Sequence, residues 1–348
     1  MKKYTKRLGF TSIWVLVVLA IGFLLFFDGQ VMAADKVIKW RCQASIPFVS
    51  PNYKGAPVRV AEKIKKGTNG RLIIEPYPAG ALMPNKEIFP AVKRGMIEMA
   101  FSAPGYWKSD LPLGLCCALP FAFSNYWEVM YYHKVLGFEK MLAEEVAKHG
   151  VLYFDDYVLE VDIVTKEPIK TFEEFKGKKI RTYGQFGKFF NAIGAQAVNA
   201  PGPEIYTGLA TGVFDGAHWG GAVGANNLGL YEVCKYHMKP AISLGTEEAW
   251  FVNKKAFNKL PEDIKKVVTK VLKEQFWVRS CEYAYNEGKV MDMAQEKHGV
   301  EIVTLPPESQ KKMARAAVQI WDEIAKASPA NEKAIAMLKK FLKEIGRL

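Results

Sequence analysis

Residues 177–219 read GKKIRTYGQFGKFFNAIGAQAVNAPGPEIYTGLATGVFDGAHW, and this stretch decides the fold. Three short β-like runs alternate with two helix-like runs, the rhythm of a βαβαβ unit. The first run, 178–182, carries Arg181 near its end, and the third, 213–217, is followed at once by His218 and Trp219. Parallel strands open their carboxyl ends into one crevice, where ligands bind in open α/β sheets. One guanidinium and one imidazole–indole pair are therefore expected to face the same cleft.

Working outward, residues 36–45 alternate apolar and polar and predict a first strand, whose end at Ser45 should reach the cleft. A helix over 57–66, a strand over 71–77, a short helix over 86–94 and a strand over 98–101 repeat the α/β pattern. Residues 111–123 are apolar and Pro-rich, and read as a buried loop over the cleft. Residues 125–148 read as one helix. Residues 151–165 form a long extended run, with Asp155, Asp156, Tyr157 and Glu160, that crosses from a first domain to a second. Strands at 235–238 and 242–253 follow, the latter returning to the first domain. From Pro261 a periodic helix finds no breaker before His298, about 55 Å at 1.5 Å per residue, long enough to bridge two domains. A strand at 300–305 and helices at 309–327 and 331–345 close the chain. The expected domains are 34–155 with 244–275, and 156–243 with 276–348.

The length of 348 residues suits two domains, and 49% hydrophobic content marks a globular chain. The net charge of +12 is spread over helical lysines without basic–aromatic interleaving, which argues against a nucleic-acid partner. Four basic residues, an apolar run over 8–27 and Val31-Met32-Ala33 predict a signal peptide cleaved after Ala33 and export to the periplasm. A retained anchor is the competing reading. The five cysteines match no zinc or redox spacing; most should be buried, and one long-range disulfide stays open.

Enzyme motifs are missing: there is no nucleophile elbow, zinc-binding HExxH, phosphate loop or dinucleotide fingerprint. Neither a metal nor a cofactor is expected. Arg181 offers paired donors that match a carboxylate, against the plainer reading of a surface ion pair. Trp219 can wall a ligand's carbon skeleton or simply fill core. His218 can donate to a ligand oxygen, titrate near neutral pH, or serve structurally. Tyr106, Tyr157 and Glu160 lie at predicted crossings, where each can bind ligand or pack between domains. Asp215 reads as a turn acceptor.

Several segments resemble the solute-binding proteins of TRAP transporters, the DctP superfamily. YPAGAL at 77–82 resembles the family's YPAGxL; AVKRG at 91–95 resembles AVxxG; FKGKKIR at 175–181 resembles LKGxKxR; and EIYTGLATGVFDG at 204–216 resembles ExYxALxxGxxDG. The resemblance implies a two-domain periplasmic binding protein fold of α/β class, with open mixed sheets, crossing strands and a long domain-bridging helix. It implies capture of a small organic acid, Arg181 on its carboxylate, no catalysis, and delivery to TRAP small and large membrane subunits. The C-terminal helices are where any homo-oligomer is expected. AHWGG at 217–221 and GLY at 229–231 look most like the branch binding 2-oxo and 2-hydroxy monocarboxylates, which has Glu where this chain has His218 and uses it with a bound cation. Its site glutamine aligns with Glu160, and Glu247 or Glu248 can supply another contact. A membrane-anchored sensory module, or a secreted enzyme using His218, Glu160 and Asp215, are the alternative readings.

Overall fold

Two open mixed sheets organise the protein. The structure, a computed structural model, describes residues 37–48, 50–245 and 248–348. The segment read as a signal peptide or anchor, and Glu247, lie outside the described residues. Among the described residues no helix is long and apolar enough to cross a membrane.

The strands are β1 (Ile38–Ala44), β2 (Leu72–Tyr77), β3 (Met99–Ser102), β4 (Val151–Asp155), β5 (Leu159–Thr165), β6 (Lys179–Thr182), β7 (Gln196–Asn199), β8 (Gly216–His218), β9 (Tyr236–Gly245), β10 (Ala249–Asn253) and β11 (Glu301–Thr304). The first sheet runs β2-β1-β3-β10-β4 and the second β11-β9-β5-β8-β6-β7. In each, parallel strands joined by helices meet antiparallel strands that arrive from the other sheet. β4 and β5 belong to different sheets, as do β9 and β10, so the chain crosses at 156–158 and returns at 246–248.

The run 151–165 is thus two strands rather than one. The return also differs from the sequence reading, which ended a strand at Met238: β9 continues to Gly245. It does so by bulging. Val161 pairs with Ser243 and Ile163 with Met238, so two residue steps on β5 face five on β9. The expected helix over 125–148 divides into Tyr126–Met130, a wider turn over Tyr131–Val135 and Phe138–Ala147. Gly137, at φ 93°, is in the left-handed region that ends helices.

The long helix is continuous from Glu262 to His298, 37 residues, with Pro261 before it and Gly299 closing it in the left-handed conformation. Its first half packs Ile264, Val268 and Leu272 into the core shared with β1, β2 and β10, and Ala294 joins the core of the second sheet with Leu209, Phe214 and Tyr231. The apolar loop is buried as expected: the Phe121 amide donates to the Ile242 carbonyl of β9 (2.8 Å), and Gln185 donates to the Leu115 and Ala118 carbonyls (3.1 and 2.8 Å). The helix Pro329–Glu344, grouped by sequence with the second domain, also touches first-domain segments. Tyr132 donates to the Ala334 carbonyl (3.0 Å) and Asn331 to that of Pro112 (2.9 Å). All five cysteines are free, four of them buried, so the disulfide left open by the sequence does not form.

Candidate functional site

Arg181 stands near the carboxyl end of β6, paired with Val198 of β7 and Ala217 of β8. Only 3% of it is exposed. Nε and Nη2 donate to the Ala200 carbonyl (2.9 and 2.7 Å), and Nη1 to the His218 carbonyl (3.0 Å). A guanidinium has five N–H groups, so one on each terminal nitrogen remains. The Trp219 ring lies 4.9 Å from the guanidinium carbon and that of Tyr183 5.7 Å. Among the described residues no carboxylate pairs with Arg181. Burial lowers its pKa to about 10, which still leaves it charged at neutral pH. Taking a lone cation out of water costs several kcal/mol unless an anion compensates it. This guanidinium is held by carbonyls and indole, and lacks the anion.

His218 occupies the next layer. Its Nδ1 lies 3.1 Å from the Thr182 hydroxyl, and its ring packs against Phe186 (4.6 Å), Phe190 (5.5 Å) and, nearly parallel, Tyr183 (5.8 Å). It is fully buried, and among the described residues Nε2 has no hydrogen-bond partner. Burial first, then the Arg181 charge, pushes its pKa down to about 3, against a smaller upward pull from Asp162. The imidazole is neutral at physiological pH. That corrects the expectation that His218 titrates near neutrality: an aromatic cage cannot solvate imidazolium.

A second polar cluster lies where β5 meets the β9 bulge. Lys239, within the bulge, bonds both Glu160 (2.9 Å) and Asp162 (2.8 Å). His237 Nε2 is 2.7 Å from the same Asp162 oxygen, and the Tyr231 hydroxyl is 2.9 Å from His237 Nδ1. Asp162 backbone groups bond Gly220 (2.7 Å) and Trp219 (3.3 Å), which ties this cluster to the strand end beside Arg181. The long helix contributes Glu287, whose carboxyl oxygens lie 3.3 Å from the Val223 amide. It also takes a hydrogen bond from Tyr283, and burial followed by Glu160 and Asp162 pushes its pKa up to about 8. Two glycines make this approach feasible. Gly220 has φ +56°, and a Cβ on Gly221 would meet the Glu287 carboxyl at 2.4 Å.

Glu160, Arg181, His218 and Trp219 thus share one region. Tyr157 does not join them: it is buried at the crossing, accepts from Asn52 (2.8 Å), and lies under the Arg279 guanidinium at 4.1 Å. Tyr106 is 57% exposed on the turn Pro104–Trp107. Ser45 follows directly after β1, its amide donating to the Phe101 carbonyl (2.9 Å). Glu248 hydrogen-bonds Tyr157 at the crossing. Asp215 accepts the amide of Lys179 at the start of β6 (2.8 Å), a long-range contact and not the local turn N–H expected from sequence. Sequence reasoning missed Asp162, Lys239, Glu287 and Tyr126. Asp162 had a signal: with Glu160 it alternates through an otherwise apolar strand, LEVDIVT. Glu287 falls in phase with buried Tyr283, Met291 and Ala294.

The monocarboxylate branch's cation does not fit these residues. His218 replaces its acidic ligand, the Lys239 ammonium already bridges Glu160 and Asp162, and among the described residues no group of three side chains is placed to hold a metal ion.

Residues 45–328 match the family model for bacterial extracellular solute-binding protein, family 7 (DctP). A monocarboxylate 2-oxoacid-binding periplasmic protein of Nostoc sp. is 25% identical over 320 residues, 91% of this chain and 87% of the relative. Among solved structures, a TRAP periplasmic solute-binding protein from Chromohalobacter salexigens with bound (S)-(+)-2-amino-1-propanol superposes with a TM-score of 0.76 at 26% identity, covering 88% of this chain and 96% of that one. The fold is shared with another from Colwellia psychrerythraea, with bound calcium and pyruvate, at a TM-score of 0.80 and 23% identity over 89% and 95% of the two chains.

Proposed function

The chain belongs to family 7 of the bacterial extracellular solute-binding proteins, and on that premise we propose that it holds its solute by a carboxylate on Arg181. The observation that carries this is the buried guanidinium with three carbonyl bonds, an indole over its face and no acid partner among the described residues. A ligand carboxylate would take the remaining N–H on each terminal nitrogen and supply the missing charge. Trp219 would cover the carbon skeleton. His218 Nε2 and the Tyr126 hydroxyl, both buried without partners, are the neutral groups available for the ligand's remaining polar atoms.

We read the two sheets as two lobes, 34–155 with 244–275 and 156–243 with 276–348, that close on the solute about the crossings. The exported protein would act in the periplasm after cleavage at Ala33, pass its solute to TRAP small and large membrane subunits, and perform no chemistry. The curated relative named for 2-oxoacids supports a carboxylate ligand.

The test is calorimetric titration with small mono- and dicarboxylic acids, repeated on Arg181→Ala. Binding of at least one acid, weakened by the substitution in a folded protein, is expected. Equal affinity in the folded variant would remove Arg181 from the site.

A further inference from the structure

Asp162 is 1% exposed, and only one of its carboxylate oxygens is engaged; among the described residues Oδ1 has no partner. The Lys239 ammonium is shared between Asp162 and Glu160. One positive charge for two carboxylates leaves a negative corner. Glu287 faces it from the long helix, itself 6% exposed. From the other lobe comes Tyr126, whose buried hydroxyl has no partner among the described residues and whose ionisation is opposed, after burial, by Glu160, Glu287 and Asp162 in that order. The other titratable groups around the corner are His237 and Tyr231 behind Asp162, and Tyr283 beside Glu287.

Arg181 is the mirror case, a buried cation without an anion. The two poles meet one turn: the Arg181 side chain bonds the His218 carbonyl, the Asp162 backbone bonds Trp219 and Gly220, and the Glu287 carboxyl bonds the Val223 amide. Residues 218–223 thus adjoin both poles, and their five Cα steps of ~3.8 Å limit that segment to about 19 Å even fully extended.

We propose that the solute is an amphoteric acid, its carboxylate on Arg181 and a protonated nitrogen against Asp162, Glu160 and Glu287. This rests on the carboxylate reading above and adds the second pole. A 2-oxo or 2-hydroxy acid compensates Arg181 and leaves the acidic corner unbalanced. A dicarboxylate sets a second negative charge against three carboxyl groups. A cationic nitrogen donates to the open Asp162 oxygen and offsets the unpaired charge. Glu287, kept protonated by burial first and then by Glu160 and Asp162, is then free to ionise.

The experiment is calorimetric titration with matched sets of 2-amino, 2-hydroxy and 2-oxo acids of three to six carbons, the corresponding dicarboxylates, and 2-amino-1-propanol as an amine without a carboxylate. Wild type, Arg181→Ala and Glu287→Gln are compared, with thermal melts to establish folding. An amino acid binding at least tenfold tighter than its oxo and hydroxy counterparts, with that ratio reduced several-fold in Glu287→Gln, is the expected result. A nitrogen-free acid that binds as tightly and still depends on Arg181 overturns the inference and leaves the carboxylate reading standing. An amine that binds equally with and without its carboxylate, indifferent to Arg181→Ala, overturns the carboxylate reading and with it this proposal. If no member of the panel binds, the molecule released on denaturing the purified protein is identified by mass spectrometry; an acid carrying an amine or other strongly basic nitrogen supports the inference, and any other compound overturns it.

Discussion

Asp156 and Arg279 form a buried ion pair, Oδ2 to Nε 2.9 Å, where the chain leaves one sheet for the other. Asp156 lies just after β4, and Arg279 lies near the middle of the long helix. Trp250 donates to the other Asp156 oxygen (2.7 Å), the Asp156 amide donates to the Glu248 carbonyl (3.2 Å), and the Val158 amide to Ser280 (2.9 Å). Outgoing crossing, returning crossing and helix are thus fastened at one point.

Breaking one side of such a pair leaves the other charge buried, which costs about 3–5 kcal/mol. Arg279→Met is expected to lower unfolding free energy by that amount. Adding Asp156→Asn, which removes the stranded charge and keeps the Trp250 acceptor, should recover at least half. Urea denaturation of both variants measures this, and a double variant no more stable than the single one would contradict it.

At Arg181 the prediction concerns geometry as well as charge. Arg181→Ala should weaken binding of a carboxylate ligand roughly tenfold to hundredfold, the effect of losing a charge-assisted hydrogen bond worth about 1.5–3 kcal/mol. Arg181→Lys should fare little better. An ammonium has three donors, and cannot serve the Ala200 and His218 carbonyls while offering a planar fork to the ligand. Calorimetry on folded variants decides it; near-native affinity in the lysine variant would mean that point charge alone suffices.

The βαβ rhythm of 177–219 fixed local structure because strand, helix and turn signals there are short-range. Arg181, His218 and Trp219 were legible for the same reason: they sit at strand ends whose direction follows from the pattern. The acidic cluster was not. Lys239 reaches Glu160 and Asp162 only because five steps of β9 oppose two of β5, and a register jump has no signature in one strand's sequence. Glu287 meets Gly221 across more than sixty residues, through packing of the long helix. Tyr157 and Arg279 show the converse. The sequence put Tyr157 at a crossing and left binding or packing open, and its contacts with Arg279, Tyr283 and Asn52 are packing.

His218 carries a prediction opposite to what its residue type suggests. With its pKa pushed down to about 3 by burial and by Arg181, it stays neutral from pH 5.5 to 8. Ligand affinity should therefore show no step attributable to this imidazole over that range. Whatever its effect on the affinity itself, His218→Gln should leave the shape of the profile unaltered. A slope present in the wild type and absent from the folded variant would show that the cage admits a proton.

Glu287 is where pH dependence is expected. Its pKa in the folded protein is pushed up to about 8, chiefly by burial and then by Glu160 and Asp162, whereas an unfolded glutamate titrates near ~4.3. Between those values the folded state holds a proton that the unfolded chain has released. Stability from this group is therefore fully present below ~4.3 and is lost as pH rises toward and through about 8, at up to ~1.4 kcal/mol per unit. Neighbouring Glu160, also raised, and Asp162, lowered by Lys239 and His237, contribute slopes of their own. The comparison is therefore between wild type and Glu287→Gln, which keeps the Val223 amide's acceptor and cannot ionise. In the ligand-free protein the variant should gain on wild type by roughly 2–4 kcal/mol between pH 5 and pH 8. Urea denaturation at intervals across that range gives the difference directly. Parallel curves would mean that the Glu287 carboxyl titrates alike in the folded and unfolded chains, and that the acidic corner is not the desolvated, unbalanced site described above.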